Sequence, residues 1–334
     1  MYSNPLINLF NNSIINLFNF IFKTFKIETL EDKFHNHKKN SRSMNHVKAL
    51  FENEDDYNIV KNNILNMSEN QDFLNKYDIT TESIINDTNN KIAVSFNEKS
   101  INIFFNHYHI SGTAMFVLLN KMFNSKTPSF LKTNPFLGLI NLPFYLYEIM
   151  KLKKKEYLKN DHNIEHFIVE KNVITNNKRC YLCLSILKEI YTSLKMDRPM
   201  IAAITLGFEE LPYINNNLGL IIIQYEITDT IETLDDKIKK ASYQAYCSNF
   251  IINCPLPNFY NFEIRNYVDC IISSMYIKSD FDIKVAWNCA RNTVEQMYVG
   301  SVSVIRSNNS MDINMNFNTC SSNYNNPNIN NFFK

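Results

Sequence analysis

His107 is the residue in this chain best placed to do chemistry. It follows the apolar run Ile101-Asn-Ile-Phe-Phe105 and precedes Gly112 by five residues, after which an apolar run Thr113–Leu119 begins. The pattern is strand, tight turn, helix, in a chain with only five glycines. An imidazole held at a strand end titrates near neutral pH on fixed backbone, which suits a general base. Two other strings invite chemistry. Cys180-Tyr-Leu-Cys183 has metal-ligand spacing but no second pair to complete a zinc site, so it reads as structural. His162-Asn-Ile-Glu165-His166 fits a zinc-peptidase string, which needs a helix, yet it runs into Phe167-Ile-Val-Glu170, a strand pattern.

The elements that must position His107 are legible on either side of it. Residues 55–77 carry apolar side chains at helical spacing. Ile92–Phe96 and Ile101–Phe105 read as a hairpin joined by residues 97–100, and residues 112–124 as the helix after the turn. Residues 134–150 are strongly apolar, but Pro135 and Pro143 are expected to prevent one long regular helix. Further on, residues 178–195 form an amphipathic helix, 198–206 and 217–226 strands, and 235–245 a helix. Residues 268–287 hold an apolar strand followed by a loop, and 302–305 with 311–317 make a final hairpin around Asn308-Asn309.

The termini differ in character. In residues 5–27, Asn8, Asn12, Asn16, Asn19, Lys23 and Lys26 recur every three or four residues beside a wide Phe-rich face. Residues 1–30 therefore read as an amphipathic helix for a membrane surface or for docking on the fold. Residues 31–46 are polar and without period, a linker containing His35, His37 and His46 in solvent. Residues 47–158 and 159–320 read as two lobes, and the Asn-rich 321–334 as a disordered tail.

Composition narrows the function classes. At 334 residues, 45% hydrophobic and 13% aromatic, the chain can bury a substantial core. A net charge of +1 gives no electrostatic case for nucleic acid. Seven cysteines, an odd number, without a secretory signal point to reduced thiols and a cytoplasmic setting, with peripheral membrane contact through residues 5–27. The basic run Lys151-Leu-Lys-Lys-Lys155 reads as a solvated helix end that can also face acidic lipid or donor phosphates.

Asn106-His107-Tyr-His-Ile-Ser111-Gly112 resembles the His-His-x-x-x-Asp-Gly motif of the CoA-dependent acyltransferase superfamily, which includes chloramphenicol acetyltransferase, condensation domains, BAHD enzymes and wax ester synthases. His107 matches the second, catalytic His, and Gly112 the Gly. Asn106 stands at the first His and Ser111 at the Asp. The order of elements over residues 50–320 resembles the same superfamily. Ser273-Ser274 and Ser279-Asp-Phe-Asp282 resemble segments that supply an oxyanion-stabilising hydroxyl.

The resemblance implies an α/β, two-lobed, chloramphenicol-acetyltransferase-like sandwich, each lobe a mixed sheet packed by helices. It implies acyl transfer from a thioester, acyl-CoA or an acyl carrier, to a small alcohol or amine. His107 would be the base and Ser279 the oxyanion hydroxyl, with Ser274 behind it, while Ser111 and Gly112 shape the turn and His109 packs. No metal or resident cofactor is implied. The departures at Asn106 and Ser111 keep a second reading open, a catalytically inactive scaffold or membrane-linked binding protein on the same fold.

Overall fold

The computed structural model describes residues 13, 16–17, 44–69, 79–80, 92–106, 112–124, 130–152, 167–172, 178–193, 195–209, 218–253, 267–278, 281, 283–289, 298–306 and 311–319. The linker before Met44, residues 162–166 and the tail 321–334 lie outside these, as does the N-terminal helix apart from Ser13, Asn16 and Leu17, which are helical.

The elements run in chain order as follows. Strand β1 (Met44–Phe51) and helix α1 (Glu54–Glu69) precede β2 (Ile79–Thr80), β3 (Ile92–Asn97) and β4 (Ser100–Asn106). Helices α2 (Gly112–Met122) and α3 (Pro135–Lys151) follow, then β5 (Phe167–Asn172), α4 (Lys178–Ser193), β6 (Met200–Gly207) and β7 (Leu218–Tyr225). Helices α5 (Ile231–Ala241) and α6 (Tyr243–Asn253) lead to β8 (Cys270–Lys278), β9 (Ile283–Cys289), β10 (Tyr298–Arg306) and β11 (Met311–Thr319).

Two sheets result. The first has the order β2-β3-β4-β1-β9, the second β5-β11-β10-β8-β6-β7. In the first, alternate residues of each strand turn to one face, as the period of two requires. Val47, Ala49, Ile101, Ile103 and Phe105 meet Val60 and Ile64 of α1 and Met115, Leu118 and Met122 of α2 in one core. The second core joins Ala202, Ile204, Ile221, Ile223 and Ile272 to Ile186, Leu187 and Ile190 of α4 and Leu234 of α5. At the start of the second sheet Arg198 grips Asp269 through both guanidinium nitrogens (2.9 and 3.1 Å), and Asp269 also accepts from Ile201 N. This charge-assisted fork locks β6 to the chain entering β8.

The halves exchange material. β9 comes late in the chain but completes the first sheet beside β1, with Trp287 opposite Val47. In return α3, from the first half, packs on α6 of the second. The contact is intimate: a Cβ on Gly138 would stand 2.6 Å from Tyr246 O and 2.7 Å from Phe250 Cβ. α6 in turn covers the edge strand β7. Gln244 Oε1 accepts from Ile222 N (2.7 Å), Ser248 Oγ from Leu220 N (2.7 Å), and Asn249 Nδ2 donates to Leu218 O (3.0 Å). Side chains thus satisfy an edge that would otherwise offer itself to another chain.

Three local expectations need correction. Residues 135–151 form one helix despite Pro143. Pro135 sits at the first helical position, where its missing N–H has no partner to lose, and Asn134 caps the end by accepting from Leu137 N at 2.9 Å. Pro143 and Leu139, whose carbonyl it leaves undonated, both lie on the exposed face, where water can take up the bond. The helix expected at 235–245 is two, α5 and α6, meeting at Ser242. α5 starts early because Thr230 and Thr233 form a reciprocal cap. Finally, the linker 31–46 ends too late: Met44–His46 belong to β1, and His46 is buried.

Candidate active site

β4 lies between β3 and β1 and ends at Asn106, opposite Met44. After five intervening residues α2 begins at Gly112. His107, His109 and Ser111 lie in between, outside the described residues, so the geometry is that of the two stems. Both are rigid. Phe105 is fully buried in the first core, and so is Met115 in the first turns of α2.

The second stem meets the other half. Thr113 is buried, and a Cβ on Gly207 would stand 3.3 Å from Thr113 Oγ1 and 3.1 Å from the Phe130 ring. Only a glycine lets the start of α2 approach the end of β6 so closely without displacing a ring. Phe130 also packs edge-on against Phe116 of α2, centroids 6.1 Å apart. Leu131 N donates to Gly207 O (3.2 Å) and Glu209 N to Leu131 O (2.9 Å), so the chain leaving α2 pairs with the end of β6. The stem of the His turn is therefore seated on the second sheet.

β8 is parallel to β6, with Ile204 opposite Ile272 and Thr205 Oγ1 donating to Ile272 O at 3.3 Å. Past that last paired position β6 continues to Gly207 and β8 to Ser274 and beyond. Ser274 stands opposite Val302 of β10, its neighbour Ser273 is exposed, and α2 touches β8. Gly112 and Ser274 accordingly belong to elements that converge at one junction between the sheets.

Ser279 lies outside the described residues, in the crossing from β8 to β9. Its flanks are informative. Phe281 packs on the first core, and Ile283 pairs with Phe51. Asn106 pairs with Met44, at the opposite end of β1. Seven residues of strand separate those ends, roughly 23 Å at about 3.3 Å per residue.

One polar group near the turn escaped the sequence reading. His46 is buried on β1 directly opposite Phe104, its ring stacked on that side chain at 4.5 Å and 6°. Its Nε2–H donates to Asn102 Oδ1 at 3.0 Å. Ser95, opposite Asn102 on β3, is buried too. These residues make a polar layer on the sheet face opposite the helices. Burial holds the imidazole below its ordinary pKa; the Asn102 bond opposes this, and Lys48 adds to the lowering. The signal was the alternation Val47-x-Ala49-x-Phe51, which, extended backwards, carries the strand through His46. Among the described residues no cluster of His, Cys, Asp or Glu could hold a metal ion, and Cys183 is buried in the second core.

No family model and no curated protein sequence matches the chain. Solved structures do. A double mutant of the starter condensation domain of rhizomide synthetase RzmA, in complex with C8-CoA and Leu-SNAC, matches with TM-score 0.53 at 4% identity, over 88% of this chain and 88% of that one. The same domain in complex with C8-CoA gives 0.52 at 4% identity, over 88% and 89%. The epimerization domain TycB3(E) of tyrocidine synthetase B gives 0.51 at 9% identity, over 87% and 90%. The chain has the two-lobed, mixed α/β fold of condensation domains, as the resemblance implied. At these identities the likeness is one of fold.

Proposed function

We propose that the protein is an acyltransferase that moves an acyl group from a thioester, acyl-CoA or an acyl carrier, to a small amine or alcohol at the junction between its sheets. The observation that carries the reading is the seating of the His-turn stem, Gly112–Thr113, against Gly207 and beside β8. The condensation-domain structure bound to C8-CoA and Leu-SNAC supports a thioester donor and an amine acceptor for this fold.

In this reading His107 takes the proton from the acceptor as its nitrogen or oxygen attacks the thioester carbonyl. A tetrahedral oxyanion forms, a hydroxyl stabilises it, and collapse expels the thiolate, which leaves as thiol with the proton from the imidazolium. An imidazole near ~6.5 needs little tuning for this. Between the two serines, we favour Ser274 for the oxyanion. It is on the strand that α2 touches, whereas Ser279 precedes a strand that starts at the far end of the first sheet. Ser111 and Gly112 shape the turn. A cytoplasmic setting, with residues 5–27 against a membrane, is part of the same proposal and rests on the cysteine count and the Phe-rich helix pattern.

The test is thiol release from a panel of acyl-CoAs, with amine and alcohol acceptors. His107→Ala should lower kcat about 10²–10⁴-fold. Ser274→Ala should lower it by about 10²-fold if its hydroxyl holds the oxyanion, with KM little changed. Ser279→Ala should change little. One feature favours a second reading: Asn106 and Ser111 replace the first His and the Asp of the acyltransferase motif. A wild type with no turnover on any donor would leave the non-catalytic scaffold as the better account.

A further inference from the structure

α3 has two unlike faces. Its inner face, with Pro135, Gly138, Tyr145 and Ile149, is buried. Its outer face presents Phe136, Leu139, Ile140, Phe144, Tyr147 and Met150, between 36% and 81% exposed. These six make up more than half of the large apolar side chains exposed among the described residues. Scattered apolar side chains at a surface need no explanation, but a contiguous row along one helix marks an interaction site.

The charges around the row say what it fits. The only acidic residue of α3, Glu148, is exposed but bonded toward α6: its carboxylate accepts from Tyr243 OH and from Gln244 Nε2 (2.9 Å). The row itself contains no acidic side chain, and the one carboxylate on the helix is engaged by α6. Lys151 closes it, with Nζ 4.0 Å from the centroid of the Tyr147 ring, and the sequence continues with Lys153-Lys154-Lys155. Lys132 is exposed just before the helix. Both ends of the row are therefore basic. A second copy laid antiparallel along it would set lysines against lysines, and a parallel one would do the same. An anionic lipid surface suits both: headgroup phosphates for the lysines, the upper acyl region for Phe and Met, and the boundary for Tyr147. The close packing of Gly138 on α6 makes the helix a firm platform rather than a tail.

We propose that the outer face of α3 is an interfacial membrane-docking surface selective for anionic lipid. It is independent of the proposed chemistry and of residues 5–27.

The experiment is flotation of the full-length chain with vesicles of phosphatidylcholine alone and with one-third phosphatidylserine. Wild type should float with the anionic vesicles and much less with the neutral ones. The double variant Phe144→Glu with Met150→Glu should lose at least about tenfold in partitioning, since each apolar side chain that stays in water forfeits its transfer free energy. Lys151→Gln should lose about fivefold at low salt and little at high salt. All these sites are exposed, so thermal melts should match wild type and separate lost docking from lost folding. Residues 5–27 are intact in every protein. A double variant that floats like wild type, or a wild type that does not float, overturns the proposal. So does a wild-type dimer in light scattering that the double variant converts to monomer without any vesicle binding.

Discussion

His46 shows how a single buried imidazole ties stability to pH. In the fold it is neutral, stacked on Phe104 and bonded to Asn102, with its pKa held down chiefly by burial. In the unfolded chain it titrates at about 6.5. Above that pH neither state is protonated there, and His46 contributes no pH dependence. Below it the unfolded chain gains a proton that the folded chain refuses, so stability falls until the folded pKa is reached. Urea melts from pH 8 to pH 5 should therefore show wild type weakening below about 6.5. His46→Gln should be less stable at pH 8, yet fall less steeply with acid. Parallel curves for the two proteins would remove His46 as the cause. The contrast with His107 explains what could be read at this scale. His107 announces itself by standing between an apolar run and a glycine, whereas His46 sits among Asn, Ser and Lys and looks solvated. The alternation after it places His46 on a strand, but its burial depends on a partner 56 residues away.

Among the elements, α3 is where local rules and tertiary context disagree. Pro143 should end a helix, and here it does not, because packing of Tyr145 and Ile149 beyond it holds the last turns in place. The missing hydrogen bond remains a cost. Pro143→Ala should raise stability by about 1–2 kcal/mol, the helix gain of about 3 being partly offset by greater freedom of the unfolded chain. A lower or unchanged urea midpoint would mean that the proline is compensated. Gly138→Ala should do the opposite, costing about 1–3 kcal/mol, because its Cβ would press on backbone that cannot rotate away. The hairpin β3–β4 and the helix α2 were legible to within two residues at each end from periodicity and turn residues. The split at Ser242 was not, since α5 and α6 are both helical and both touch the second core, and only α6 also covers the β7 edge and packs on α3.

At the level of the whole molecule, the family resemblance carried by the His motif and the element order implied the two-sheet architecture, but not its exchange. That β9 leaves the second half to pair with β1 is a matter of register between residues more than 230 positions apart, and periodicity carries no such information. The exchange predicts joint unfolding. Trp287, the single tryptophan, is in β9, so its fluorescence follows that strand's docking, while far-UV circular dichroism follows all the elements. The two transitions should coincide in urea. Fluorescence changing well before circular dichroism would mean that the sheets are joined more loosely than drawn. The same strand has a consequence for synthesis. Until it emerges, β1 is the bare edge of a four-stranded sheet, its outer backbone groups open to any passing strand. At about 5–20 residues per second, the ribosome takes roughly 12–50 s to travel from the end of β1 to the end of β9. For that interval every nascent chain carries a sticky seam that only its own last third can seal, and its dependence on chaperones should end when β9 arrives.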